Sequence, residues 1–256
     1  MLITDLQPRR LPHPEELPSS DDTPVDNEDQ NLLPNLLLAT LYRIWADRQD
    51  WFFGVDMAVY HTTGENPRIP IVPDGFLSLG VERKKGGKSR RSYVVWDEGD
   101  VVPILAVEMV SHKPGGEYTQ KLETYRKLGV LYYGVYNPEF AQRDGHHPFE
   151  VYRLERGQYC LATTEPYWMP EIGLGLGRYD RGYMGMGTEI LTWFDGEGNS
   201  YEPPEVSREE LQREQRRADR ERLRAEQERL RAQKLANYLR LLGIDPENLP
   251  DSDDRP

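Results

Sequence analysis

The sequence predicts an α/β core, a mixed and partly antiparallel sheet with helices on its faces, followed by a long charged helix. Residues 101–110 are apolar throughout except for Glu108, the pattern of a central strand covered on both faces. Residues 115–128 place Leu122, Tyr125 and Leu128 along one side of a helix that stops at Gly129, and residues 130–136 form a second buried strand. Strand, helix and strand in this order imply a right-handed crossover between parallel neighbours. Residues 207–240 contain neither Gly nor Pro and are dense in charge, which predicts the trailing helix.

The elements before this unit follow from local pattern. Residues 1–30 carry Pro8, Pro12, Pro14, Pro18 and Pro24 together with Asp21, Asp22, Asp26, Glu28 and Asp29. So little apolar surface predicts a mobile acidic arm, or else a strap lying along the domain. Leu32, Leu33, Leu36, Leu37, Leu41, Ile44 and Trp45 recur at helical spacing up to Asp50, with Pro34 placed to open that helix. Residues 51–60 and 69–79 are β-rich and flank a turn at 64–67, residues 82–91 form a basic Gly-containing loop, and 93–96 a short strand.

After the crossover, residues 149–154 and 158–163 flank Glu155-Arg156-Gly157, a hairpin signal, and residues 173–193 hold further short strands. In the trailing helix Leu211, Ala218, Ala225, Ala232 and Leu239 share one heptad position, but Glu221 and Glu228 occupy the other, so a strong coiled coil is not expected. The division is an arm over 1–30, a core domain over 31–205, the charged helix over 207–243 and a polar tail over 244–256.

Bulk properties narrow the function. The chain has 256 residues, 37% hydrophobic and 30% charged, with a formal net charge of −12. That balance argues against coating nucleic acid by charge alone, though an enzyme can keep a local basic cleft and a metal ion. No apolar run approaches the roughly 18 residues of a membrane span, and the N-terminus has no signal pattern. The single Cys160 excludes an internal disulfide and a Cys-based zinc site. A reducing cytoplasm is the expected compartment.

The chemistry concentrates in three places. Glu108 lies in an otherwise apolar strand, and burying a carboxylate costs several kcal/mol unless it is paired or bound to a metal. Asp74, in Val72-Pro73-Asp74-Gly75, reads either as a turn residue or as an acid at a kink between apolar strand residues. Lys121 follows on the next helix with Glu117 four residues earlier, either as a surface ion pair or as a face turned to the end of the Glu108 strand. Two acids and a lysine are the minimum set for phosphodiester hydrolysis assisted by Mg2+ or Mn2+. Two carboxylates suffice to hold a cation that keeps several waters, and a lysine orients the attacking water.

The combination of Val72-Pro73-Asp74-Gly75, Leu105-Ala106-Val107-Glu108-Met109-Val110-Ser111, Lys121-Leu122-Glu123-Thr124-Tyr125 and Gly129-Val130 to Tyr133 resembles the Uma-type restriction endonuclease family of the PD-(D/E)xK superfamily. The resemblance covers roughly residues 31–200. It implies a restriction endonuclease-like fold and metal-dependent cleavage of nucleic acid, DNA in particular, with Asp74 and Glu108 as metal ligands. The superfamily's usual lysine position falls on Val110, so the resemblance implies a lysine moved to Lys121. It assigns the preceding acid to Glu117, a longer side chain than the usual Asp. Lys113 is a competing lysine, Gln120 a further polar contact, and a homodimer able to cut both strands is an expectation of the same kind.

Other motifs have plainer readings. His146-His147 is expected in an exposed turn, and Ser111 lacks the surroundings of a nucleophile. Lys84, Lys85, Lys88, Arg90 and Arg91 either track a phosphate backbone or form a solvated loop. Against the nuclease reading stands a second one, a catalytically silent nuclease fold used as a binding or assembly module through its terminal helix. The acidic balance favours the second reading, and the intact acid–acid–lysine set favours the first.

Overall fold

The computed structural model describes residues 10–18, 28–112, 115–162, 164–179, 189–203 and residue 231. The expected helix over 207–240 and the polar tail lie outside the described residues apart from Arg231, as does Lys113. The chain divides into two units, residues 1–204 and 205–256, and the strands and helices described belong to the first.

Helix α1 spans Glu28–Ile44 and buries Leu33, Leu36, Leu37 and Leu41 on one face, the stripe the leucine spacing predicts. It starts earlier than the sequence suggests, so Pro34 lies inside it instead of opening it. That costs one backbone hydrogen bond near the N-terminus, and the added turn carries Gln30 far enough to donate through Nε2 to the Met109 carbonyl at 3.2 Å.

Among the described residues eleven strands follow in chain order: β1 (Trp51–Val55), β2 (Val59–Tyr60), β3 (Gly75–Leu79), β4 (Tyr93–Val94), β5 (Leu105–Met109), β6 (Tyr132–Tyr136), β7 (Phe149–Glu155), β8 (Gln158–Leu161), β9 (Tyr167–Met169), β10 (Leu174–Tyr179) and β11 (Ile190–Phe194). The main sheet has the order β1-β3-β5-β6-β7-β8. Only β5 and β6 pair in parallel within it; the other neighbours are antiparallel. A parallel pair needs a crossover, and here it consists of a π-helical turn, Glu117–Lys121, running directly into helix α2, Leu122–Leu128. The expected single helix over 115–128 is thus two pieces, marked by the wide bond from the Lys121 amide to the Gly116 carbonyl at 3.0 Å. Helix α3 (Ala141–Asp144) is one short turn between β6 and β7.

Alternation along β5 assigns the two faces of the sheet. Leu105, Val107 and Met109 join α1 and β9–β11 in one core, where Trp193 Nε1 donates to the Leu37 carbonyl at 2.9 Å. Ala106 and Val110 join Tyr125, Leu128, Tyr133 and Val135 in the second core, under α2. Glu108 therefore faces α2. The β7–β8 hairpin turns through Arg156 and Gly157, at φ of 50° and 80°, the geometry that favours glycine in a two-residue loop.

Of the two expectations for the N-terminal arm, residues 10–18 follow the strap and not the mobile tail. Leu17 is buried beside Ala58, Tyr60 and Val94, and the Pro12 and Pro18 carbonyls accept from Trp96 Nε1 and the Tyr60 hydroxyl. Apolar burial at Leu17 and two buried donors needing acceptors account for this docking. No described helix is long and apolar enough to cross a membrane.

Close approach of β1 to β3 depends on Gly54, where an added Cβ would sit 2.2 Å from Cε1 of the fully buried Phe76 ring. Gly54→Ala should destabilise the domain by about 1–3 kcal/mol through overpacking. Urea unfolding checks this as a lowered midpoint at unchanged slope; an unchanged midpoint would refute the close packing.

Candidate active site

Strand β3 leaves the β5 ladder just past its Gly75↔Val107 pair, and the residue before Gly75 is Asp74. There the Met109 amide, with no strand partner on that side, donates to Asp74 Oδ2 at 2.6 Å. Asp74 is thus a strand-end acid whose carboxylate takes over a ladder hydrogen bond, and its place next to Glu108 follows from the same register. The Glu108 carboxyl lies near enough to raise the proton affinity of Asp74.

Glu108 is fully buried, at 0% exposure. Two donors from one helical segment meet its two oxygens. Lys121 Nζ lies 2.8 Å from Oε2 and the Tyr125 hydroxyl donates to Oε1 at 2.5 Å. A spacing of four residues puts both on one helix face. Burial raises the Glu108 carboxyl above its ordinary value, opposed by Lys121 and Tyr125 and reinforced by Glu117. Asp74 is raised well above 3.8, first by burial and then by the charge of Glu108. Lys121 is raised despite burial by Glu108, with Asp74 and Glu117 adding to it, so its ammonium stays protonated. Asp74, Glu108 and Lys121 thus set two acidic groups against one basic group.

Glu117 is buried in the π-helical turn, but it does not pair with Lys121 as the four-residue spacing suggests. Its carboxylate oxygens accept from the Gly115 amide at 3.1 and 3.0 Å, and its carbonyl accepts from the Tyr133 hydroxyl at 2.8 Å. The wide turn explains this, because it bends the carboxylate back over its own first residues. A Cβ on residue 115 would lie 2.4 Å from Glu117 Oε1, so the arrangement depends on glycine there. Gln120 is exposed.

The structure brings Asp74, Glu108 and Lys121 together and places Glu117 beside them. Tyr125 is the site residue that sequence reasoning leaves among apolar helix positions. Its signal is the Lys-x-x-x-Tyr spacing after a buried acid. Of the basic run, Lys84, Lys88 and Arg91 are exposed, whereas Arg90 and Lys85 are engaged by acids. Arg90 is buried in a bidentate pair with Glu98, at 2.9 Å for both bonds, and stacks on Phe52, while Lys85 pairs with Asp97 and Glu98.

A second polar cluster lies two strands away. Glu108↔Val135 and Val135↔Glu150 are register pairs, so Glu150 shares the Glu108 face. The buried Glu150 accepts from the His147 amide at 2.9 Å and from the Tyr152 hydroxyl, with His146 Nδ1 at 3.1 Å. Tyr118, from the π-helical turn, stacks flat on His146 at 3.5 Å. His146 is thus half-buried and packed, contrary to the exposed turn expected for it.

Over residues 22–178 the sequence matches the Uma2 family, described as "Putative restriction endonuclease". That is well over half of the chain and includes every residue of the site. The chain belongs to the Uma2 family. No curated protein matches it. For this Uma2 chain, the donor chemistry bears on the cation the family resemblance implies. Among the described residues no cluster of three or more His, Cys, Asp and Glu side chains could hold a metal. Two neighbouring carboxyl groups nonetheless suit a hard cation that takes oxygen ligands and keeps its waters.

Asp74 gives a pH-dependent test. Because its folded-state value is raised, its favourable contribution is complete below about pH 3.8 and is lost as pH rises through the folded value. Asp74→Asn keeps an acceptor for the Met109 amide and offers Glu108 a donor. In a chelator it should stabilise the protein by about 1–3 kcal/mol at pH 8, with the gain vanishing toward pH 4. Thermal melting at both values is the check, and a variant less stable than wild type at pH 8 would show Asp74 to be ionised and well compensated.

Proposed function

We propose that this protein hydrolyses phosphodiester bonds of nucleic acid, DNA in particular, with Mg2+ or Mn2+ held by Asp74 and Glu108. The observation that carries the reading is the buried Glu108 paired with Lys121, Nζ 2.8 Å from Oε2, near the end of a central strand, with the Asp74 carboxyl beside it on the Met109 amide. Membership of a family described as restriction endonucleases supports the nucleic-acid substrate.

A bound divalent cation would polarise the phosphoryl oxygens and lower the pKa of the attacking water. The chain's own residues supply the rest. Asp74 and Glu108 would hold the cation as carboxylates, with Glu108 releasing its Lys121 contact. Hydrolysis joins the water oxygen to phosphorus and releases one ester oxygen as an alcohol, so negative charge builds on the phosphoryl group. Lys121, ammonium at working pH, donates hydrogen bonds to that charge or to the water; it cannot ligate the cation. Glu117 acts one step back, holding the turn that presents Lys121 by its bonds to Gly115 and Tyr133. One such centre cuts one strand, so linear product from a closed circle would require two copies or two encounters.

Nicking of supercoiled plasmid with titrated Mg2+ or Mn2+ tests the proposal. Glu108→Gln should reduce cleavage to background while the fold survives. Lys121→Ala should lower single-turnover cleavage by about 10²–10³-fold with calorimetric cation affinity unchanged or slightly increased, since a nearby positive charge is lost. Lys113→Ala should cleave normally. An inactive Lys113→Ala beside an active Lys121→Ala would move the catalytic role to Lys113. Equal, cation-independent behaviour of all variants would favour a nuclease fold serving as a binding module.

A further inference from the structure

We propose that Tyr125 is a positioning residue that holds Glu108 to ligation through a single oxygen, and so makes the site select a magnesium-sized cation over calcium. This rests on the metal-dependent reading above and specifies how the site discriminates among cations.

Glu108 has two carboxylate oxygens, and each meets a different donor. Oε2 faces the Lys121 ammonium at 2.8 Å and Oε1 takes the Tyr125 hydroxyl at 2.5 Å. The donors differ in how readily they yield. The Lys121 side chain keeps 28% exposure and ends a flexible stem, so it can swing from Oε2 as a cation arrives. Tyr125 is 1% exposed, and its ring packs 4.9 Å from that of Tyr133 in the core beneath α2. Among the described residues its hydroxyl donates to Oε1. Turning Oε1 toward a metal would strain or strand a buried donor, which proteins avoid.

The consequence is a difference between ions. Calcium takes six to eight oxygens in flexible geometry and favours a carboxylate that chelates through both oxygens. Magnesium holds to an octahedron and takes carboxylates through one. A Glu108 with Oε1 pinned offers what magnesium uses and withholds what calcium would gain. A purely structural role, in which Tyr125 only fills the core and finds the nearest acceptor, predicts no such discrimination, because a loosened site would lose all divalent cations alike.

The experiment is isothermal titration of the full-length protein with MgCl2, MnCl2 and CaCl2, for wild type and Tyr125→Phe, with circular dichroism to monitor the fold. Wild type should bind Mg2+ and Mn2+ and take Ca2+ no more tightly than Mg2+. Tyr125→Phe should raise the Ca2+:Mg2+ affinity ratio about tenfold. The ratio is the readout because changes in overall charge or packing cancel from it. If Tyr125→Phe does not fold, Lys121→Met is the second variant: it frees Oε2 and leaves Oε1 pinned, so its ratio must stay at the wild-type value, and a tenfold rise overturns the role of Tyr125. A Tyr125→Phe ratio that stays at the wild-type value while both ions bind, or a wild type that already prefers calcium tenfold, also overturns that role and leaves the proposed function standing. A wild type that binds none of the three ions overturns both.

Discussion

A carboxylate at the centre of a sheet has nowhere to find water, and Glu108 is in that position on β5, between two cores. Its compensation must come from elements that cross the same face. The arrangement of this part of the molecule follows from that requirement. β5 and β6 are parallel, so the chain must pass over the sheet between them. The crossing helix supplies an ammonium and a phenol four residues apart to the two oxygens of the same acid. β3 supplies the second acid at the point where its ladder with β5 ends. Removing any one of these would leave a buried group without a partner, an error far more costly than losing an exposed ion pair.

The same face explains why a lysine can stand on the helix instead of the strand. Val110 is two residues beyond Glu108 and therefore points to the same side, among Tyr125, Tyr133 and Val135. A lysine there would reach the acid from the strand; in this chain that space is apolar and the ammonium comes from above. The π-helical turn makes this possible. It widens the backbone at the start of the crossing, tucks Glu117 onto the Gly115 amide, and is tied to β6 by Tyr133. Tyr118 extends the tie to His146 and to Asn137, whose Nδ2 lies 3.1 Å from its hydroxyl. The turn that presents Lys121 is thus fastened to β6 and to the segment leading into β7.

Electrostatics at larger scale point the same way. Two members of the basic run, Arg90 and Lys85, are occupied by Glu98 and Asp97, while Lys84, Lys88 and Arg91 are exposed. With a net charge of −12, attraction of a polyanion by the protein's own field is weak. Under the proposed function, charge neutralisation at a phosphate would fall to Lys121 and to a cation held by Asp74 and Glu108.

Much of this is legible in the sequence, and the reason is local. Apolar runs and periodicity identify strands and helices, so the existence of β5 and β6 and the 155–157 turn are legible without a structure, although the strand expected over 101–110 is confined to Leu105–Met109 and that over 130–136 to Tyr132–Tyr136. An acid in an apolar run announces that it needs a partner, which singles out Glu108. What a burial pattern does not state is which partner. Lys121 and Tyr125 are 13 and 17 residues from Glu108, Asp74 is 35 residues from the Met109 amide and Gln30 79 residues from the Met109 carbonyl. Those distances close only through strand register and the path of the crossover. For the same reason Glu117 turns to Gly115, Arg90 turns inward to Glu98, and Pro34 lies inside its helix. The sequence by itself determined which segments are buried and which charge is out of place. Tertiary structure decided which donors answer it, because hydrogen bonds and ion pairs between distant residues depend on the packing of whole elements.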